Sequence, residues 1–166
     1  EQVAFSDAAL VARASGRQFE TVLLKGRGNY LCRRRLALAA GSHRTDGSSL
    51  LPSDAPALSP QGTERLILDW ASETRTGDRA ACDGVPENAP AWGVFVSDAE
   101  DCMGRRCRFQ KSCFVEGAKL AAAGADIVVV NHHLFFADLA IRAASQADAA
   151  VLPAYDAVIF DEAHAV

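Results

Sequence analysis

Two runs of apolar, β-branched-rich residues, Ile127-Val128-Val129-Val130 and Ala157-Val158-Ile159-Phe160, bracket a stretch of helical character from about Leu134 to Ser145. A strand that is apolar at every position buries both faces, which an open sheet achieves when helices cover it on both sides. Strand, helix, strand in that order implies parallel pairing, with the functional edge at the carboxyl ends of the strands. Residues 114-166 are therefore expected to belong to a parallel α/β sheet. The second run ends in Asp161-Glu162-Ala163-His164, which sets two carboxylates at that edge.

An apolar strand ending in adjacent carboxylates suits nucleotide hydrolysis, because Mg²⁺ prefers hard oxygen ligands and an attacking water needs an oriented base. Asp161 is the expected Mg²⁺ ligand and Glu162 the group that positions and deprotonates the water. His164 is the expected sensor of the γ-phosphate. The plainer alternative is a strand that ends in acidic residues on a surface loop. No G-x-x-x-x-G-K-[ST] loop occurs in the 166 residues, so the chain by itself is not expected to hydrolyse ATP. His132 and His133 read as neighbours on an extended segment, which turns them to opposite faces and favours packing or hydrogen bonding over a shared metal.

The remainder of the chain has a different character. Apolar residues at helical spacing from Gln2 to Ala14, with Gly16 after them, predict a helix, and Phe19 to Leu24 a short strand. Lys25 to Cys32 reads as a glycine-punctuated loop. Gly41 to Gln61, rich in Gly, Ser, Pro and Asp, reads as a flexible insertion. Thr63 caps an expected helix to about Thr74 with Leu66, Ile67 and Trp70 on one face. Asp83 to Asp101 is irregular and leads into Cys102. An alanine-rich helix is expected from Cys113 to Ala123.

Five cysteines are an odd number, and no apolar run approaches the roughly 20 residues of a membrane helix. No cationic leader opens the chain, so a reducing cytoplasm is the expected compartment, where cysteines serve as metal ligands or thiols. Both ends read as cuts in a longer protein. Cys102, Cys107 and Cys113 are separated by four and five intervening residues, with Cys32 far upstream. Only the first of these intervals suits a zinc knuckle, whereas iron–sulfur clusters accept wider spacing; cluster, zinc and unligated thiols all stay open, with the spacing leaning towards iron. Cys82 fits no ligand rhythm and is read as a thiol.

The net charge of -4 is unevenly distributed. Lys25, Arg27, Arg33, Arg34, Arg35 and Arg44 form one basic cluster and Arg105, Arg106, Arg108 and Lys111 another, each around cysteines. Both suit either a polyanion or a solvated surface.

In order, Leu24-Lys25-Gly26-Arg27, Asn29-Tyr30-Leu31-Cys32, the Cys102, Cys107, Cys113 triplet, Ala125 to His132 and Asp161-Glu162-Ala163-His164 resemble the DinG/YoaA helicases, relatives of XPD. Asn131-His132-His133-Leu134-Phe135 leans towards the YoaA-like branch. Gly28, where Ser or Ala is usual, and the extra Cys82 depart from the pattern. The resemblance implies a superfamily 2, DEAH-type motor: part of a RecA-like P-loop NTPase lobe with an inserted [4Fe-4S] domain. Residues 1-24 would end one segment of the lobe, 25-113 form the cluster domain with insertion 41-61, and 114-166 return to the lobe. Cys32, Cys102, Cys107 and Cys113 would be the cluster ligands, Mg²⁺ the second metal and ATP the substrate. Arg27, Tyr30, Arg105 and Arg106 are candidate DNA contacts, since positive charge and aromatic stacking suit single strands. The resemblance further implies a cytoplasmic bacterial protein that moves 5′ to 3′ on single-stranded and forked DNA, with replication or repair proteins as partners and no membrane. The rival readings are a zinc-binding nucleic-acid module without a motor and a redox sensor.

Overall fold

Strands β1 (Thr21–Leu23) and β2 (Ile127–Val129) pair in parallel with Thr21 opposite Ile127, Val22 opposite Val128 and Leu23 opposite Val129. The computed structural model describes residues 2–45, 60–146 and 149–161. They fall into two units, one of residues 1–25 and 118–166, the other of residues 26–117. Among the described residues the fold is mixed α/β with this one two-stranded parallel sheet. No helix among them is long and apolar enough to cross a membrane.

In the first unit, Leu24 prolongs the ladder by donating its N–H to the Val129 carbonyl at 2.9 Å. The other end is tied by Asp126, whose carboxylate accepts the Glu20 N–H at 2.8 Å, while the Glu20 carbonyl accepts the N–H groups of Asp126 and Ile127. Helix α1 is Gln2–Ser15, as the spacing predicts. Helix α6 (His132–Ala144) follows β2 and starts two residues earlier than its apolar periodicity suggests. The reason is Asn131, whose side-chain oxygen accepts the Leu134 N–H at 2.8 Å and caps the helix. His132 and His133 thus sit in a first helical turn rather than on an extended segment. Leu24, Ala122, Phe135 and Leu152 form the core, with Val22, Val128, Val130 and Leu134 packed on it.

A charge lies inside this unit. Asp138, fully buried, accepts the Val151 and Leu152 N–H groups at 2.6 and 2.9 Å and the Arg142 Nε at 2.6 Å. Arg142 also donates to the carbonyls of Leu152 and Pro153, at 2.8 and 3.1 Å, so both residues clamp the returning chain onto α6. Burial opposes the Asp138 charge, but the Leu152 amide, Arg142 and the Val151 amide outweigh it and hold its carboxyl below the ordinary value.

The strand expected at Ala157 to Phe160 does not form. The segment has no regular secondary structure and pairs with neither β1 nor β2, and Ile159 is 93% exposed. An apolar run becomes a strand only where a neighbouring strand satisfies its N–H and C=O groups. Phe160 packs instead on α6, with ring centroids 5.4 Å from Phe135, 6.3 Å from Phe136 and 5.9 Å from His132.

The second unit is built from short pieces. Helix α2 (Arg33–Thr45) has no counterpart in the sequence reading, α3 (Pro60–Glu73) contains the expected Thr63 helix, and α4 (Trp92–Phe95) is one turn. The expected insertion at 41-61 overlaps the ends of α2 and α3, and its residues 46–59 lie outside the described residues. Helix α5 (Phe114–Gly124) begins here, one residue after Cys113. The core is aromatic and aliphatic: Tyr30, Leu31, Ile67, Trp92 and Phe95 are all buried. Trp92 meets Trp70 edge to face at 5.9 Å and gives its indole N–H to the Pro86 carbonyl at 3.0 Å.

Candidate cysteine centre and carboxylate edge

Each of the four candidate ligands occupies a chain turn. The Cys32 and Cys113 carbonyls accept the first helical bonds of α2 and α5, from Leu36 N–H and Gly117 N–H, both at 2.9 Å. Both cysteines therefore stand at helix N-termini, where the unpaired amides and the helix dipole favour negative charge. Cys107 and Cys113 each close a 3-10 turn, Gly104–Arg106 and Gln110–Ser112, with nearly identical backbone angles of φ -72°, ψ 128° and φ -72°, ψ 125°. The Cys102 sulfur accepts the Gly104 N–H at 3.4 Å, and Gly104 adopts a φ of 53° that an L side chain disfavours.

What joins these turns is the run Arg33-Arg34-Arg35. Arg33 donates its Nε to the Ser112 carbonyl at 2.8 Å and lies over the Phe114 ring, 4.4 Å from its centroid, so it grips the chain on both sides of Cys113. Arg34 donates to the Asp101 carbonyl at 2.8 Å and Arg35 pairs with the Asp101 carboxylate, next to Cys102. The Cys32 amide itself bonds the Phe95 carbonyl at 2.7 Å. Three members of the first basic cluster, Arg33, Arg34 and Arg35, are thus each engaged by the protein's own groups. Among the described residues no group of three or more His, Cys, Asp or Glu is drawn close enough to hold a single metal ion.

The candidate DNA contacts separate. Arg105 and Arg106 are exposed, as are Arg108 and Lys111 beside them, and Arg27 is half-buried with a 3.5 Å contact to the Asp98 carbonyl. Tyr30 is 4% exposed and belongs to the core, so its ring is not offered to a base. Cys82 is buried at the end of the turn Arg79–Ala81, and burial, helped by Asp83, pushes its thiol up. Asp161 is described and exposed; Glu162 and His164 lie outside the described residues. Sequence reasoning missed the Asp138–Arg142 clamp, although its i, i+4 spacing on an expected helix was a visible signal.

Fold and site define a mixed α/β protein in which a cysteine-bearing unit interrupts the chain between two parallel strands. No protein-family model matches it. It is 37% identical to the ATP-dependent DNA helicase YoaA of Escherichia coli (strain K12) over 99% of this chain and 24% of that protein. Against YoaA of Haemophilus influenzae the identity is 35% over 99% of the chain and 24% of the relative. The ATP-dependent helicase DinG of Mycobacterium tuberculosis is 36% identical over 93% and 23%. The chain is similar over nearly its whole length to these DinG and YoaA helicases, and it spans about a quarter of their length.

Proposed function

We propose that the chain is the part of an ATP-dependent DNA helicase that carries a four-cysteine [4Fe-4S] centre and the Mg²⁺-binding edge of a RecA-like lobe. The observation that supports it most is the convergence of the segments bearing Cys32, Cys102 and Cys113 through three consecutive arginines, in a chain whose relatives are named helicases. The donor set fits the group. Four thiolates leave such a centre net negative, and here two cysteines sit at helix N-termini while a third already accepts an amide hydrogen bond. Cys32, Cys102, Cys107 and Cys113 would hold the cluster, which would brace the unit as a fixed cross-link.

Asp161 would bind Mg²⁺, Glu162 would orient water for attack on ATP, and His164 would read the phosphate state. Arg105 and Arg106, exposed beside Cys107, would contact the phosphates of single-stranded or forked DNA, with Arg27 as a further contact. The whole protein would move 5′ to 3′ in a bacterial cytoplasm and serve DNA repair or replication. A phosphate-binding loop would have to come from the full-length protein.

The test is the metal content of the full-length protein, purified without oxygen, with Cys102→Ser as the control. About four irons and four sulfides per chain, lost in the control, are expected. Stoichiometric zinc without sulfide would replace this reading with a zinc-stabilised nucleic-acid module.

A further inference from the structure

We propose that Arg33, Arg34 and Arg35 are positioning residues that close the cysteine-bearing segments around the cluster, an inference that rests on the iron–sulfur reading. Three consecutive cations in the first turn of α2 run against the helix dipole, which disfavours positive charge at an N-terminus, and no acidic residue in that turn relieves them. A local choice that opposes its own element signals a role elsewhere in the fold. That role is visible in where the side chains go. None of the three donor groups observed reaches into α2; each ends on a residue adjacent to another candidate ligand, at Ser112 and Phe114 around Cys113 and at Asp101 before Cys102.

The contact surface is held from behind. A side chain at Gly77, whose φ is 64°, would meet the Phe114 ring at 2.4 Å, so the ring under Arg33 is packed directly on glycine backbone. The Arg35 Nε is buried with no hydrogen-bond partner among the described residues, which leaves one donor of the clamp unspent. An anionic cluster beside Cys32 would offset the same cations that the helix end disfavours. Charge alone does not explain the arrangement, because a lysine supplies the charge without the planar fork that reaches a carbonyl and stacks on a ring together.

That difference is the test. In full-length protein purified without oxygen, the loss of the cluster's visible absorption to an iron chelator is followed for wild type, Arg33→Lys, Arg33→Ala and Arg35→Lys, with circular dichroism to show retained helix. Loss about tenfold faster than wild type is expected in Arg33→Lys and Arg33→Ala, from one hydrogen bond and one ring contact removed. Their affinity for single-stranded DNA should keep the wild-type salt dependence. Phe114→Leu removes the ring without touching a charge and should speed loss about threefold, which preserves the test if an arginine variant does not fold. Lysine variants that hold the cluster as wild type does would overturn the clamp and leave the cluster standing. A wild type without iron would overturn the iron–sulfur reading and the clamp with it.

Discussion

The first unit is organised by backbone, the second by side chains. In residues 1–25 and 118–166 a parallel ladder, helices α1 and α6 and the end of α5 do most of the satisfying of polar groups, and one buried aspartate closes the remaining loop. In residues 26–117 the described pieces include four 3-10 turns and a one-turn helix, and the segments meet through arginine-to-carbonyl bonds and an aromatic pair. The lesson is that a cysteine-bearing unit can converge without a sheet if long cationic side chains span the gaps. Its stability then depends on single residues more than a ladder does.

The largest test of that contrast is Trp92→Ala. It removes the edge-to-face partner of Trp70 and a buried indole bond, and should cost about 4 kcal/mol. Hydrogen exchange on the full-length protein should lose protection in residues 26–117 while β1 and β2 keep theirs; equal loss in both would break the contrast. Asp138→Asn attacks the other unit and should cost about 3 kcal/mol, because Arg142 is left without its buried carboxylate. It also carries a pH signature. A carboxyl held below its ordinary 3.8 stabilises the fold above about pH 4 and loses that contribution as pH falls through the lowered value. Urea melts from pH 6 downward should therefore show a steeper acid loss in wild type than in Asp138→Asn.

Gly77→Ala comes next, at about 2 kcal/mol, since its methyl would strike the Phe114 ring in a backbone conformation that favours glycine. Urea titration of the full-length protein measures it. The smallest expected effect is Cys82→Ala, about 1 kcal/mol for a modest cavity at a buried thiol, with iron content unchanged. Iron loss in that variant would overturn the reading of Cys82 as a thiol that holds no metal.

Much of the first unit was legible because periodicity and β-branching report backbone structure directly: α1, β1 and β2 fall where the residues predict, as does α5, which runs into it, and α6 differs only in the first turn that Asn131 caps. The exception is instructive. Ala157 to Phe160 has every local property of a strand, yet strand formation is a property of pairs, and one member's sequence does not reveal whether a partner stands beside it. In the second unit the cysteines announced themselves and their surroundings did not. Arg33 to Arg35 read as a surface for a polyanion or for solvent because charge, seen alone, does not show which carbonyls and carboxylate a guanidinium will find 66 to 79 residues away. Tyr30 read as a candidate DNA contact for the same reason: it is buried and its backbone bridges to the distant Asp78, neither of which its own loop reveals. Helix α2 escaped notice because its opening turn is cationic, against the usual rule for helix starts.

The placement of β1 and β2 has a consequence in time. The two strands are adjacent in space, yet the whole of residues 26–117 is made between them. At ribosomal speeds of about 5–20 residues per second, β1 emerges and waits roughly 5–20 s before its partner exists. By the end of that interval the cysteine-bearing unit has been made and the sheet has not, so its four candidate ligands are all present before the two strands can pair.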